Sequence, residues 1–159
     1  MLSISHAATG AFLAAKLHNP LLYVPVVLVS HYIEDWVLHW DVGTGLSNGT
    51  RKKSTAFILE IFDLALAGFI VFSMYPIHRG GNLGSMEILL TVIPVHAYFG
   101  AFIALLPDFI EAPRTFLHWN PPFLKPINAF HHSIHHSTSN IINGLWPQLV
   151  LLSGLWIFR

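Results

Sequence analysis

The chain has 159 residues, of which 53% are hydrophobic and only 10% charged, and eight Lys and Arg balance eight Asp and Glu. A soluble domain usually carries about 25% charged residues, so this composition excludes a soluble enzyme, a disordered tail and, for want of a basic excess, a nucleic-acid binder. An integral membrane protein remains, yet its 11 histidines do not suit a passive anchor, because ionisable groups in membrane segments are costly and functional by default.

The composition predicts an all-α, polytopic membrane bundle forming one domain over residues 1–159. The first six residues lack the basic region of a signal peptide, so the first apolar stretch is expected to be retained. Residues 7–17 are apolar but short of the roughly 20 needed for a crossing. His18-Asn19-Pro20 breaks them, and a second helical segment over 21–40 completes a hairpin. Residues 41–54 form a polar loop with the basic run Arg51-Lys52-Lys53. Helical spans are predicted over 55–75, despite Glu60 and Asp63, and over 86–106, with a glycine-rich turn at 76–85 between them. Residues 107–140 form a proline- and histidine-rich polar segment, and 141–158 a final apolar helix. This span count brings His6, His31–Asp41 and 107–140 to one membrane face, and the basic loop places that face in the cytoplasm.

His6-Ala-Ala-Thr-Gly10-Ala-Phe12 is echoed by His96-Ala-Tyr-Phe-Gly100-Ala-Phe102, with five of seven positions identical. A duplicated hairpin would explain this, giving two pseudo-repeated hairpins plus a C-terminal helix with similar polar clusters at one interface. Chance matching in a biased composition is the alternative.

There is no cysteine, so any metal must be held by imidazole and carboxylate. His31, Asp35 and His39 recur every four residues, which puts them on one helical face, with Asp41 just beyond. Such a nitrogen and oxygen ligand set suits zinc, and also manganese or iron. The plainer alternative is a helix end at the headgroups, anchored by Trp36 and Trp40. His131, His132, His135 and His136 fall within six residues, and in a helix they would form two i, i+4 chelating pairs. Asp108 ends an apolar span beside Glu111 and Arg114, as a ligand or as a helix cap. Asp35, Asp41 and Glu111 are the candidate general bases. His18 and His78 read as loop residues.

These motifs resemble those of the membrane-bound metal-dependent hydrolases, also described as LexA-binding, inner-membrane-associated hydrolases. His6 and Gly10 match that family's opening His-x-x-x-Gly. The His31–Asp41 stretch and Leu106-Pro107-Asp108 match its acidic motif, and His131 to His136-Ser137 matches its His-x4-His-Ser block. The chain departs from the pattern in lacking a proline before Asp35 and in having the extra His132 and His135. The resemblance implies a hydrolase of the bacterial inner membrane and fixes no substrate.

The expected function is metal-dependent hydrolysis at the membrane surface, with a lipid headgroup or other phosphate ester as a natural substrate. One alternative is a diiron fatty-acid hydroxylase or desaturase, whose His-x-x-His-His box is matched by His132 to His136. The other is a non-enzymatic metal transporter or haem-binding protein.

Overall fold

The computed structural model describes residues 1–46, 48–77 and 94–159. These residues form six helices and no sheet: α1 (Ser3–Leu17), α2 (Pro20–Trp36), α3 (Lys53–Met74), α4 (Val95–Leu117), α5 (Lys125–Ile134) and α6 (Ile141–Phe158). Three of them, α3, α4 and α6, are long and apolar enough to cross a membrane. The 15 residues of α1 and 17 of α2 come to roughly 22–26 Å, short of the hydrocarbon thickness. Only 22% of the apolar stretch of α3 and 17% of that of α6 is buried, and Phe62, Phe69, Ile142 and Ile157 point away from the bundle. So apolar an exterior suits a hydrocarbon surrounding.

α1 occupies the centre because its residues are small. Ala7, Ala8, Gly10, Ala11 and Ala14 are all buried, and α1 packs against α2, α3, α4 and α6. Gly10 crosses Gly100 of α4 with backbones in contact. A Cβ on Gly10 would strike the Gly100 carbonyl and Ala104, and one on Gly100 would strike the Gly10 carbonyl and Ala14. The two echoed sequence blocks are thus packed against each other in antiparallel, pseudo-symmetric fashion. Antiparallel packing also overturns one expectation. His6 and His96 lie at opposite ends of the crossing, so the echo does not gather two like clusters. His96 instead meets His18 and Tyr23 edge-on, with centroids 5.9 and 5.7 Å away.

Several element boundaries differ from expectation. α1 begins at Ser3 and so includes His6. α2 ends at Trp36, and Val37 turns extended, so His39 does not continue the helical stripe of His31 and Asp35. α4 runs through Pro107 and Pro113 to Leu117, absorbing the first third of the expected polar segment. A span starting at residue 86 and the turn with His78 fall on 78–93, outside the described residues.

Glu60 and Asp63 are explained by the start of α1, which has no capping side chain of its own. Asp63 accepts hydrogen bonds from the Ser3 and Ile4 amides at 2.6 and 3.4 Å, and Glu60 accepts one from Ser3 Oγ at 2.7 Å. Free amides at a helix start need acceptors and attract negative charge. The two acids of α3 therefore fix the end of α1 that carries His6.

Candidate metal centre

Four segments meet at the end of the bundle where α1 and α6 start and α2 and α4 finish. α2 supplies His31 and Asp35, spaced i, i+4 on its inner face. α4 supplies Asp108, and α5 supplies His131 near its C-terminus. The fourth part is a short pairing of two extended segments. The His39 amide donates to His136 O (3.1 Å), the Thr138 amide to His39 O (2.8 Å) and the His136 amide to Asp35 O (2.9 Å). This pairing ends α5 before His135 and turns the His135 ring toward His39.

Among the described residues, two ligand groups result. The first holds His31, Asp35, Asp108 and His131, and the second holds Asp35, His39 and His135. In the first, the Nε2 atoms of His31 and His131 face each other at 3.3 Å. Asp35 Oδ2 lies 3.3 and 2.8 Å from them, and Asp108 Oδ1 lies 3.7 Å from each. In the second, the Nε2 atoms of His39 and His135 are 3.2 Å apart, with Asp35 Oδ1 3.9 Å from His39. Asp41 Oδ2 lies 3.2 and 3.3 Å from the same two nitrogens, beside this group. Asp35 belongs to both groups through different oxygens.

These spacings fit a bound cation. Four ligands about 2.0–2.1 Å from one ion are about 3.3–3.4 Å from each other in a tetrahedron. The tautomers also fit. His31 Nδ1 donates to Ala104 O at 2.8 Å and His39 Nδ1 to Val37 O at 2.8 Å. His131 Nδ1 lies 2.8 Å from Glu111 Oε2. With an ion bound, each outer nitrogen would keep its proton and turn an Nε2 lone pair inward, the usual arrangement of ligating histidines. Asp41 Oδ2 is buried and has no hydrogen-bond donor. A buried carboxylate oxygen facing imidazole lone pairs is unfavourable unless a cation or proton lies between them.

The charges carry the same pattern. Burial pushes the His131 imidazole down, but Asp35 and Glu111 outweigh burial and raise it to about 9. Burial, helped by the N-terminal ammonium, pushes His135 down to about 4. Asp41 is raised by burial but lowered more by its imidazole neighbours, His39 first, and ends at about 2.

Not every expected ligand joins the groups. His6 stacks on His31 with centroids 4.0 Å apart, and its Nε2 lies 3.2 Å from Asp35 Oδ1, beside the ligand groups rather than within them. Its Nδ1 lies 2.9 Å from Glu34 Oε2, and the Met1 amine also contacts Asp35 Oδ1. Glu111 is engaged on both oxygens, by His131 and by Arg114. The side chains of His132 and His136 are exposed and belong to neither group. The i, i+4 pairing expected within the histidine tract is replaced by a split, with His131 in one group and His135 in the other. His132 and His136 therefore do not assemble with His135 as a three-histidine box. His118 lies 2.8 Å from Lys53 Nζ on the surface.

Two residues unforeseen from sequence hold the site together. Gln148 of α6 is buried. It accepts from the Leu2 amide (3.0 Å) and Ser5 Oγ (3.3 Å), and donates to Trp40 O (2.7 Å) and Gly144 O (2.9 Å). Gly144 lies against the Trp40 backbone, where any Cβ would collide. Together they fasten the His39–Asp41 segment to α6. An amide well inside an apolar span was the available signal for Gln148.

A cavity of about 680 Å³ opens onto the centre between α3 and α4, reaching Asp41, Asp108, Glu111 and His135. Comparison with family models, curated proteins and solved structures returned no match.

Proposed function

We propose that this chain is an integral membrane hydrolase that uses two adjacent divalent ions, zinc by preference, to activate water at one face of the bilayer. The observation that carries this reading is Asp35, whose two oxygens serve two different ligand groups. A carboxylate placed in this way would bridge two ions if both groups were filled. Divalent ions at such a site lower the pKa of bound water and stabilise charge on the oxygens of a reacting ester.

The protein's own groups have distinct tasks. Ala104 O, Val37 O and Glu111 hold the tautomers of His31, His39 and His131. Glu111 is thereby a positioning residue and not the base. Asp41 reaches the cavity beside the ligand groups, where it would accept the proton that water gives up. His6 supports Asp35 and the His31 ring from the interior side.

α3, α4 and α6 are taken as membrane spans. Arg51, Lys52, Lys53, Arg114 and Lys125 are at the end that carries the centre, whereas Lys16 and Arg159 are at the other end. This bias favours a cytoplasmic site, and by the motif resemblance the membrane is a bacterial inner membrane. Nitrogen and oxygen donors without thiolate suit zinc and also accommodate manganese or iron.

Elemental analysis of detergent-purified protein tests the reading. Two equivalents of divalent metal per chain are expected, together with metal-dependent ester hydrolysis that a chelator abolishes. Protein purified without chelator that contains no stoichiometric metal, and binds none on dialysis, sinks the proposal. Two equivalents of iron with oxygen-dependent lipid oxidation would favour the oxygenase alternative.

A further inference from the structure

The cavity beside the metal centre is built for more than a water-soluble ester. Its floor is polar, with Asp41, Asp108 and His135 reaching it. Its walls are mainly apolar and come from two spans, Phe57, Ile61 and Leu64 of α3 and Phe109 and Phe116 of α4, with the acid Glu60, held by Ser3 Oγ, interrupting the α3 wall. Lys53 and Leu64 both line it, and 11 residues at 1.5 Å each extend the wall about 16 Å along α3. Phe57, Ile61 and Phe109 are also among the exposed apolar residues, so the wall is continuous with the outer surface of the bundle. Lys53 and Arg114 sit at the polar end. Arg114 is paired with Glu111 but keeps part of its side chain in the open.

We propose that this cavity takes a membrane lipid with an anionic phosphate-ester head, entering sideways between α3 and α4. The inference rests on the hydrolase reading and names its substrate class. The acyl part lies along Phe57, Ile61 and Leu64, and the phosphate meets the metal centre between Lys53 and Arg114. Charge selects an anionic head only with the centre loaded: Lys53, Arg114 and bound divalent ions would together offset the lining carboxylates Asp41, Glu60, Asp108 and Glu111. Apolar walls select the tail, since a small soluble ester leaves them empty. In the reaction the oxygen of water forms a new bond to phosphorus and the ester P–O bond breaks. The lipid alcohol leaves with one proton of the water, and the phosphate retains the remainder. No electron is transferred.

Binding and turnover are measured separately on metal-loaded, detergent-purified protein. Retention of phosphatidic acid, phosphatidylcholine and inorganic phosphate is measured by native mass spectrometry. Phosphate release is measured from phosphatidic acid in mixed micelles and from glycerol phosphate in solution. The proposal expects phosphatidic acid to be retained at least tenfold better than phosphatidylcholine. Lys53→Ala is expected to lower that preference severalfold. Ile61→Trp is expected to fill the groove, lowering the ratio of lipid to soluble-ester kcat/KM at least tenfold with metal content unchanged. Leu66→Trp, placed outside the cavity, serves as the control. Soluble-ester hydrolysis without a preference for phosphatidic acid, or a ratio unmoved by Ile61→Trp, overturns the proposal and leaves the hydrolase reading standing. Selective retention that depends on Lys53 and Ile61, with neither ester cleaved, keeps the lipid site and overturns the hydrolase reading. No retention and no hydrolysis overturns both.

Discussion

Gly10 and Gly100 each fill the space that the other's Cβ would need. Ninety positions apart and flanked by matching His, Ala and Phe residues, they make the close crossing of α1 and α4. His31 depends on that crossing, because its Nδ1 donates to Ala104 O one turn beyond Gly100. The crossing thus couples bundle packing to the orientation of a candidate ligand.

Alanine at Gly10 or Gly100 should therefore be destabilising. The obstructing atoms are backbone, which has little room to yield, and overpacking costs about 1–3 kcal/mol. Gly68 on α3 has nothing near its Cβ position. There alanine should stabilise by up to about 1 kcal/mol through helix propensity. Thermal unfolding in one detergent compares the three variants, and equal effects at Gly10 and Gly68 would contradict the crossing.

Metal stoichiometry should separate the two ligand groups. Asp35→Ala is expected to lose both ions, because it removes a ligand from each group. Asp108→Ala and His135→Ala are each expected to retain one ion, since each touches only one group. Retention of both ions by Asp35→Ala would remove the bridging role.

Metal affinity should rise with pH in a defined window. The His131 imidazole of the metal-free protein is raised to about 9, so it is protonated at pH 7 and the incoming ion must displace that proton. Apparent affinity at that group should therefore rise about tenfold per pH unit from pH 7 and level off near pH 9. His135, lowered to about 4, adds no such slope above pH 5. Glu111→Gln removes one of the groups that raise His131, so the affinity should level off at a lower pH. It should also weaken metal binding about 10–100-fold, as loss of an outer partner of a ligating histidine does. Chelator competition at several pH values measures both effects.

Gln148→Ala should damage both stability and the second ligand group. It leaves the Leu2 amide and Trp40 carbonyl without their partner, and an unsatisfied buried group costs about 1–3 kcal/mol. Because Trp40 lies between His39 and Asp41, metal should be lost from the second group before the first. Equal loss from both would show that Gln148 acts only on global folding.

Composition and hydropathy were enough to indicate an apolar helical bundle, since a chain with 10% charge has few other ways to satisfy its backbone. Residue pattern marked His6, His31, Asp35, His39, Asp108, His131, His132, His135 and His136 as candidate ligands, and the fold brings all but His6, His132 and His136 into groups that could hold a metal. Helical periodicity did not show how they are shared. It predicted that His31, Asp35 and His39 act as one stripe and that the histidine tract chelates within itself. In the fold, α2 stops at Trp36 and α5 at Ile134, and each histidine set is divided between two groups around Asp35. Local pattern records which side chains share a face of one element. Which lone pairs point at a common centre depends on where four separate segments cross, and long-range contacts such as Gly10 with Gly100 and Gln148 with Trp40 set that arrangement.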